Sequence, residues 1–277
     1  TASKVLLALS EEANEIIIPT QHGGHMYGSY SGESLIKKIE YSRRRFITWG
    51  WSTIDNKYFD NTISLPSPFL SKFINAHKKK NESIIIVSTY VPKVSTFAEE
   101  LLASSTQKKN YIKLKVSLIS QFESHQDFNK IKYRPYFSKN NHFNDISYLK
   151  QFFPFLKVLK NNLHHEILKC KLLILDHPGT TWNIAMVANI PIFLFFNINH
   201  WNLSHEAKLF LEDFKKLGIY HENSETLVRQ YNLINENEIF EWWNSEEIQS
   251  LRLRWISKYA KAERFWILKW MKELKKI

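Results

Sequence analysis

The chain has 277 residues, of which 44% are hydrophobic and 14% aromatic, with only 7 Gly and 8 Pro. This composition excludes collagenous, low-complexity and long disordered chains and leaves room for one large or two modest domains. The formal net charge of +11 favours an anionic partner, whereas the single cysteine excludes an internal disulfide and a cysteine cluster for zinc and is typical of a reducing cytoplasm.

The first elements lead from a helix into a strand. The chain starts at Thr1 and soon becomes apolar without a basic leader, which indicates a fragment of a longer protein. Residues 5–14 are predicted to be helical. Residues 15–20 contain three consecutive isoleucines and are predicted to form a fully buried strand.

A polar, glycine-bearing turn follows that strand. It reads Gln21-His22-Gly23-Gly24, with Tyr27 and Gly28 close behind. Glycines let a backbone approach a ligand closely, and a histidine there can titrate near neutral pH, which suits a general base. The alternative is that His22 only caps the end of the strand.

Short apolar strands then alternate with helices. After a strand at 45–51 and an extended connector at 65–68, a domain boundary is predicted near residues 66–82. The predicted strands beyond it are 83–90, 130–133, 171–175 and 190–196, and the predicted helices are 96–104, 112–123, 145–159 and 181–189. Such alternation favours a parallel sheet, in which ligands bind beyond the carboxyl ends of the strands.

Two further turns lie at predicted strand ends. Arg134-Pro135-Tyr136 presents an arginine that can grip a phosphate or carboxylate, although an arginine before a proline is common on surfaces. The run Asp176-His177-Pro178-Gly179-Thr180-Thr181 leads into a helix. One of the two threonines is predicted to cap that helix, and the free amides with both hydroxyls suit a phosphate; an ordinary cap without a ligand is the alternative.

The sequence lacks the motifs of several other kinds of binding site. The sequence has no Gly-Lys-Thr of a Walker loop and no Gly-x-Gly-x-x-Gly fingerprint, which argues against NTP hydrolysis and ordinary dinucleotide binding. It also has no Asp-x-Asp motif or metal-ligand cluster, so neither a metal nor another cofactor is expected. The longest apolar run, 190–196, is far shorter than the roughly 20 residues that span a bilayer.

These turns, in this order, resemble a known family. Gln21 to Gly24 with Tyr27-Gly28, then Thr48-Trp49-Gly50-Trp51, Arg134-Pro135 and Asp176 to Trp182 resemble the C-terminal half of bacterial surface-carbohydrate (O-antigen locus) transferases. In layout the chain is more distantly similar to CDP-glycerol glycerophosphotransferases and to bacterial sialyl- and Kdo-transferases. In the teichoic acid enzymes a His-Gly turn supplies the base, and paired Ser/Thr residues hold the nucleotide phosphate.

The resemblance implies a GT-B-like α/β fold with three parts. Residues 1–75 would be the C-terminal part of an acceptor-side Rossmann-like domain. Residues 76–235 would form the Rossmann-type nucleotide-donor domain with a parallel sheet, and residues 236–277 the helices that pack back across both. The implied location is cytoplasmic, peripheral at the inner face of the cytoplasmic membrane.

The implied activity is transfer of a sugar from a nucleotide-sugar donor to a hydroxyl of a glycan or lipid-linked acceptor. His22 would be the base, and Arg134, Gly179, Thr180 and Thr181 would bind the nucleotide phosphate without a metal. Weaker donor or acceptor contacts are expected from Gln21, Gly23, Gly24, Tyr27, Tyr136, Asp176, His200, Trp201 and Glu206. The alternatives are a CDP-glycerol-type phosphoalcohol transferase and a non-catalytic protein that binds nucleic acid or an anionic surface; the transferase interpretation makes nucleic acid an unexpected partner.

The tail from residue 236 onward is predicted to be helical and rich in tryptophan. Ile248, Leu251, Trp255, Tyr259, Trp266 and Trp270 form an apolar stripe at helical spacing, with Arg252, Arg254, Lys258, Lys261 and Lys269 around it. We expect the stripe to be buried and the cations to be exposed. The cations would then hold the enzyme near an anionic membrane surface.

Overall fold

The computed structural model describes residues 9–10, 12–24, 27–31, 45–93, 102, 104–137, 142–234 and 238–276. Half of the predicted helix at 5–14 and most of the predicted helix at 96–104 therefore lie outside the described residues. Within the described part, helices pack on a central parallel sheet. This arrangement confirms the predicted α/β class with a Rossmann-type sheet.

The sheet has six parallel strands in the order β10-β9-β8-β5-β6-β7. Its strands are β5 (Ile84–Val87), β6 (Ile131–Arg134), β7 (Lys157–Val158), β8 (Leu172–Leu175), β9 (Ile192–Phe195) and β10 (Tyr220–His221). β5, β8 and β9 are buried along their whole length, as their uninterrupted apolar sequences require when helices cover both faces. The order reverses between β5 and β8, so the carboxyl ends of these two strands flank a crevice.

Nine α-helices surround the sheet in the described part of the chain. They are α1 (Ser105–Glu123), α2 (Asp145–Phe152), α3 (Leu163–Ile167), α4 (Thr180–Ala188), α5 (His205–Lys216), α6 (Ser224–Leu233), α7 (Ile239–Trp243), α8 (Glu246–Tyr259) and α9 (Trp266–Leu274). None of these helices is both long and apolar enough to cross a membrane. Apart from α1, which begins seven residues before its predicted start at 112, the predicted strands and helices that the structure describes in the sheet region coincide with observed ones to within a few residues, with one exception.

That exception is the helix predicted at 145–159, which is wrong in its second half. α2 ends at Phe152, Pro154 follows two residues later, and Lys157–Val158 pairs with β6 as β7. A proline cannot continue the hydrogen bonding of a helix, so the chain turns and adds an edge strand. β10 was not predicted either, because two residues are too short for a periodic pattern.

The region before the sheet contains a smaller, two-stranded parallel sheet. β1 (Phe46–Thr48) pairs with β4 (Thr62–Ser64), and β2 (Thr53–Ile54) and β3 (Lys57–Tyr58) form a hairpin between them. The strand predicted at 15–20 is wrong: only Thr20 makes a bridge, to Ile47, and Ile16 is 72% exposed. Among the described residues this segment has one neighbouring strand, β1, and forms too few ladder bonds with it to count as a strand.

The C-terminal helices contact both regions. α8 packs on α4, where the rings of Trp255 and Trp182 are stacked with centroids 3.8 Å apart. Two residues further along α8, the backbone passes so close to Gly50 (φ +126°) that a Cβ there would lie 2.5 Å from the Ser257 carbonyl oxygen. The Lys261 amide then donates to the Trp49 carbonyl oxygen. The division into domains at 75 and 235 stays a prediction.

The predicted stripe on the tail is buried only in its first four members. Ile248, Leu251, Trp255 and Tyr259 are buried, whereas Trp266 and Trp270 are half-buried. The expectation of exposed cations is wrong for Arg252, which is 6% exposed and donates from Nη1 to the Met186 carbonyl oxygen near the end of α4, and Lys258 and Lys261 are half-buried. Burial lowers the pKa of the Arg252 guanidinium to about 10, so Arg252 remains charged and stabilises the negative end of that helix.

Candidate functional site

A cleft of about 420 Å³ opens at the sheet edge where the strand order reverses. It is formed by the segments that follow β5, β6 and β8. Its lining residues are Val87, Ser88, Thr89, Arg134, Pro135, Tyr136, Phe137, Leu163, His177, Gly179, Thr180 and Thr181. Two of the three turns predicted from the sequence, Arg134 to Tyr136 and the start of α4, therefore share one cavity.

The start of α4 lies at this cleft, and none of the described residues accepts a hydrogen bond from the backbone amides of Thr180 and Thr181. The helix begins at Thr180 after Gly179, and no described side chain caps it, so the predicted threonine cap is wrong. A Cβ at Gly179 would lie 2.7 Å from the His177 ring, so any larger residue there would require this ring to move. A helix start without a side-chain cap carries partial positive charge and free N–H groups, which is the arrangement that binds phosphate.

The first predicted turn lies against the same helix start. The Gly24 amide donates to Thr180 Oγ1 over 3.0 Å. A Cβ on Gly24 would lie 3.0 Å from the Thr180 amide nitrogen, and one on Gly23 would lie 3.6 Å from Thr180 Oγ1. Glycine thus allows the closest approach at position 24. His22 lies two positions before Gly24, the residue that contacts the start of α4.

His22 is exposed and is held by a tyrosine. Its Nδ1 lies 2.7 Å from the Tyr27 hydroxyl oxygen, and Tyr27 itself is 1% exposed. Gln21, by contrast, is buried and holds the turn. Its Oε1 accepts from the Trp49 amide and from Trp51 Nε1, and its Nε2 donates to the Gly23 carbonyl oxygen.

Arg134 lies at the opposite wall, at the end of β6. Its Nη1 donates to the carbonyl oxygens of Leu159, at 3.2 Å, and Asn161, at 2.6 Å, and its guanidinium lies 4.5 Å from the centre of the Phe137 ring. Burial lowers the pKa of Arg134, which remains cationic near neutral pH. Among the described residues Nε and Nη2 have no partner, so they can donate to an anion. Tyr136 beside it is exposed.

His177 is a functional candidate that the sequence interpretation did not select. Its Nδ1–H donates to Asp176 Oδ1 over 2.9 Å, and its ring lines the cleft beside Thr180. Asp176 had been expected to contact the donor, but it is 2% exposed and points into the protein. The adjacent Asp-His pair after a buried strand is the signal that could have identified this histidine.

A buried charge cluster lies directly beneath the cleft, and we refer to it as the Lys115 cluster. Lys115 Nζ lies 2.8 Å from Asp145 Oδ2 and 3.3 Å from Asp176 Oδ2, and both aspartates also bind tyrosine hydroxyls, those of Tyr133 and Tyr111. Burial disfavours the Asp145 carboxylate, but Lys115 outweighs it and the Asp145 pKa is lowered. The cluster joins α1, α2 and the ends of β6 and β8.

The sequence held a signal for this cluster as well. Lys115 lies three residues after Ile112 and three before Leu118, both of which are buried on the face of α1 that covers the sheet. A lysine on an apolar helix face needs a carboxylate partner. Asp145 at the start of α2 and Asp176 after β8 supply two.

The segment after β9 is more structural than expected. His200 and Trp201 are buried, burial lowers the His200 pKa, and the Trp201 ring lies 6.3 Å from that of His177. Glu206 forms an ion pair with Lys258 of α8 over 2.8 Å. These residues are therefore near the cleft, but among the described residues only Trp201 contacts a side chain that lines it. No group of three potential metal ligands lies together in the described part of the chain.

Comparisons with known proteins add a family. The model described as LIC12162 family transferase matches residues 1–274. Among solved structures, the chain is similar to Acinetobacter baumannii MurG, at 9% identity over 98% of this chain and 69% of that one, with a TM-score of 0.49. It is also similar to TarM, at 14% identity over 94% of this chain and 50% of that one, with a TM-score of 0.49. A third similar structure is the spinosyn forosaminyltransferase SpnP, at 10% identity over 84% of this chain and 55% of that one, with a TM-score of 0.37. The chain thus spans about half of the TarM and SpnP chains, and no curated protein matches it.

Proposed function

The chain belongs to the LIC12162 transferase family, and from this premise we propose that it is a GT-B-type glycosyltransferase. In this proposal the enzyme moves a sugar from a nucleotide-activated donor to a hydroxyl of a glycan or lipid-linked acceptor during assembly of bacterial surface polysaccharide. The family supports group transfer. The surface-polysaccharide pathway depends on the sequence resemblance described above.

The single observation that carries the proposal is the composition of the cleft. Arg134, His177, Thr180 and Thr181 line one cavity at the point where the strand order reverses. In this proposal the α4 amides and the Thr181 hydroxyl donate to the phosphate oxygens of the donor, and Arg134 neutralises their charge. These groups are preorganised, so they stabilise the phosphate as it accepts charge from the breaking bond.

His22 is the proposed general base. When Nδ1–H donates to the Tyr27 hydroxyl, Nε2 is unprotonated and can accept the proton of the acceptor hydroxyl. The acceptor oxygen then bonds to the sugar carbon that carries the phosphate. The bond between that carbon and the phosphate oxygen breaks, and its electron pair leaves with the nucleotide.

His177 has a proposed role at the leaving group. Asp176 holds its Nδ1, which fixes the ring over Gly179 at the edge of the cleft. When both ring nitrogens of His177 carry a proton, its Nε2–H donates to a phosphate oxygen and adds positive charge across the cleft from Arg134. The helix start and these two cations account for phosphate stabilisation in this scheme, and independence from metal ions stays a prediction.

The test is a thermal-unfolding panel with nucleotides. Wild-type protein is mixed with CMP, CDP, UDP or GDP. A ligand that binds only the folded state raises Tm, and at a fixed concentration a tighter ligand raises it more. We expect one nucleotide to raise Tm for the wild type and for Thr106→Val, but not for Thr181→Val. Thr106 is a matched control because it is also the second residue of a helix, α1, and is exposed. A Tm unchanged by every nucleotide, with tight salt-sensitive binding of RNA instead, would contradict the proposal.

A second readout separates the two transferase alternatives. Radiolabelled CDP-glycerol and a panel of nucleotide sugars are incubated with the enzyme, and release of the free nucleotide is measured. Release from a nucleotide sugar supports the glycosyltransferase. Release from CDP-glycerol alone would support the phosphoalcohol transferase, which could use the same three turns.

A further inference from the structure

The last helix, α9, presents an apolar surface to solvent. Five large apolar side chains in it or directly before it are between 46% and 74% exposed, namely Phe265, Ile267, Leu268, Met271 and Leu274. Among the described α-helices, α9 alone has no buried residue. Apolar groups gathered on one exposed helix face are unusual in a soluble chain and mark a surface that contacts another apolar phase.

The exposed groups occupy one side of the helix. Ile267, Met271 and Leu274 have the i, i+4, i+7 spacing of a single face. Trp266 and Trp270 point to the neighbouring side, where Trp270 Nε1 donates to the Pro66 carbonyl oxygen over 2.8 Å. The helix is therefore held to the protein through Trp270 while its apolar face stays uncovered by the described residues.

Basic residues flank this apolar face. Residues 264–276 contain five basic side chains and one glutamate, a formal net charge of four positive. Lys269 and Lys276 are paired with Glu263 and Glu273. Three others, Arg264, Lys272 and Lys275, are exposed and have no carboxylate partner among the described residues.

We propose that α9 docks on the surface of an anionic lipid bilayer. Its nine residues give a length of about 14 Å, less than half of a hydrocarbon core of about 30 Å, so it lies in the plane of the interface. The apolar face enters the headgroup region, and the flanking cations bind lipid phosphates. An apolar face, a rim of cations and tryptophans beside them are the combination that interfacial helices use.

A second copy of the chain fits this surface poorly. A symmetric dimer through α9 would place the same residues of both copies together and would bring two sets of unpaired cations close to each other. One nine-residue helix also offers little area compared with the roughly 800 Å² per partner of a stable interface. An anionic bilayer instead neutralises the cations at the same time as it covers the apolar side chains.

The surface differs from the one expected from the sequence. The stripe that begins at Ile248 is buried against the protein, and the uncovered apolar residues are the ones interleaved with Trp266 and Trp270. The inference does not depend on the proposed chemistry. If both hold, the helix keeps the enzyme where a lipid-linked acceptor resides.

The experiment is co-sedimentation of the full 277-residue chain with vesicles at low salt. The vesicles are phosphatidylcholine alone or phosphatidylcholine with phosphatidylglycerol. The test variant combines Ile267→Ser, Met271→Ser and Leu274→Ser. Its matched control combines Leu209→Ser, Leu233→Ser and Leu253→Ser, because these leucines lie on other helices and are 53% to 72% exposed.

We expect the wild type and the control to sediment with the anionic vesicles and not with phosphatidylcholine alone. The test variant should bind at least tenfold more weakly, and so should Arg264→Gln with Lys272→Gln and Lys275→Gln. Equal binding of the test variant and the wild type would overturn the proposal. So would a wild type that is dimeric by sedimentation velocity and becomes monomeric in the test variant without binding either kind of vesicle.

Discussion

Replacing Lys115 by methionine removes the only cation of the Lys115 cluster while it keeps the length and apolar stem of the side chain. The Lys115 side chain is 1% exposed, and those of Asp145 and Asp176 are 0% and 3% exposed. The Asp145 carboxylate would then be left buried without a counter-charge, and Asp176 would keep, among the described residues, only its hydrogen bonds to Tyr111 and His177. Water cannot reach them to compensate for the lost ammonium group unless the structure opens.

The expected loss follows from this geometry. Removing one partner of a buried, hydrogen-bonded ion pair destabilises a protein by about 3 to 5 kcal/mol, because the remaining charge is uncompensated. The lost bonds join α1 to the ends of two strands, so α1 cannot move away from the carboxylates without exposing the core beneath it. For a chain of this size such a loss corresponds to a decrease in Tm of about 5 to 15 °C.

The assay is urea unfolding of Lys115→Met and of Lys113→Met. Lys113 is on the same helix but exposed, so its replacement should change the free energy of unfolding by less than about 0.5 kcal/mol. A triple variant that also carries Asp145→Asn and Asp176→Asn should recover part of the loss, because no charge is left buried. A loss below about 1 kcal/mol for Lys115→Met would refute the claim that this cluster is closed to water and charged.

Three further predictions concern single side chains. His22→Ala should leave nucleotide affinity unchanged and lower turnover by about 100-fold or more, as for loss of a general base, whereas near-normal turnover would leave His22 as a structural residue. Arg134→Gln should raise the nucleotide Kd at least about tenfold in a titration with the nucleotide that binds. An unchanged Kd would show that Arg134 does not bind the phosphate. Burial lowers the pKa of His221 to about 4, so protonation favours the unfolded chain, and stability should fall as the pH decreases from about 6.5 towards 4. His221→Gln should therefore lose about 1 to 2 kcal/mol less between pH 7 and pH 5 in urea unfolding than the wild type; an equal loss would show that this histidine titrates normally.

The sheet was predictable because its strands carry the signal on their own. Runs such as Ile84–Val87 and Leu172–Leu175 are apolar at every position, which occurs when both faces are covered. The segment at 15–20 is just as apolar in its isoleucines, yet among the described residues it pairs only through Thr20, with Ile47. A local sequence pattern does not show whether a strand has a neighbouring strand on each side.

The candidate site was predictable in its turns but not in its connections. Strand ends converge in a parallel sheet, so Arg134 and Thr180 could be placed together from the sequence alone. The contact between Gly24 and Thr180 joins residues that are 156 positions apart, and no periodicity encodes it. His177 was overlooked because its importance comes from Asp176, whose other partners lie on α1.

The most direct test of the account is calorimetric titration of a nucleoside diphosphate into the wild type, Thr181→Val and Thr106→Val. The nucleotide used is the one that raises Tm most in the unfolding panel. If the cleft at the start of α4 binds the donor phosphate, the wild type and Thr106→Val should share one Kd, and Thr181→Val should bind at least about tenfold more weakly. The same Kd for all three proteins, or no heat of binding with any nucleotide, would contradict the claim that this cleft is the donor site.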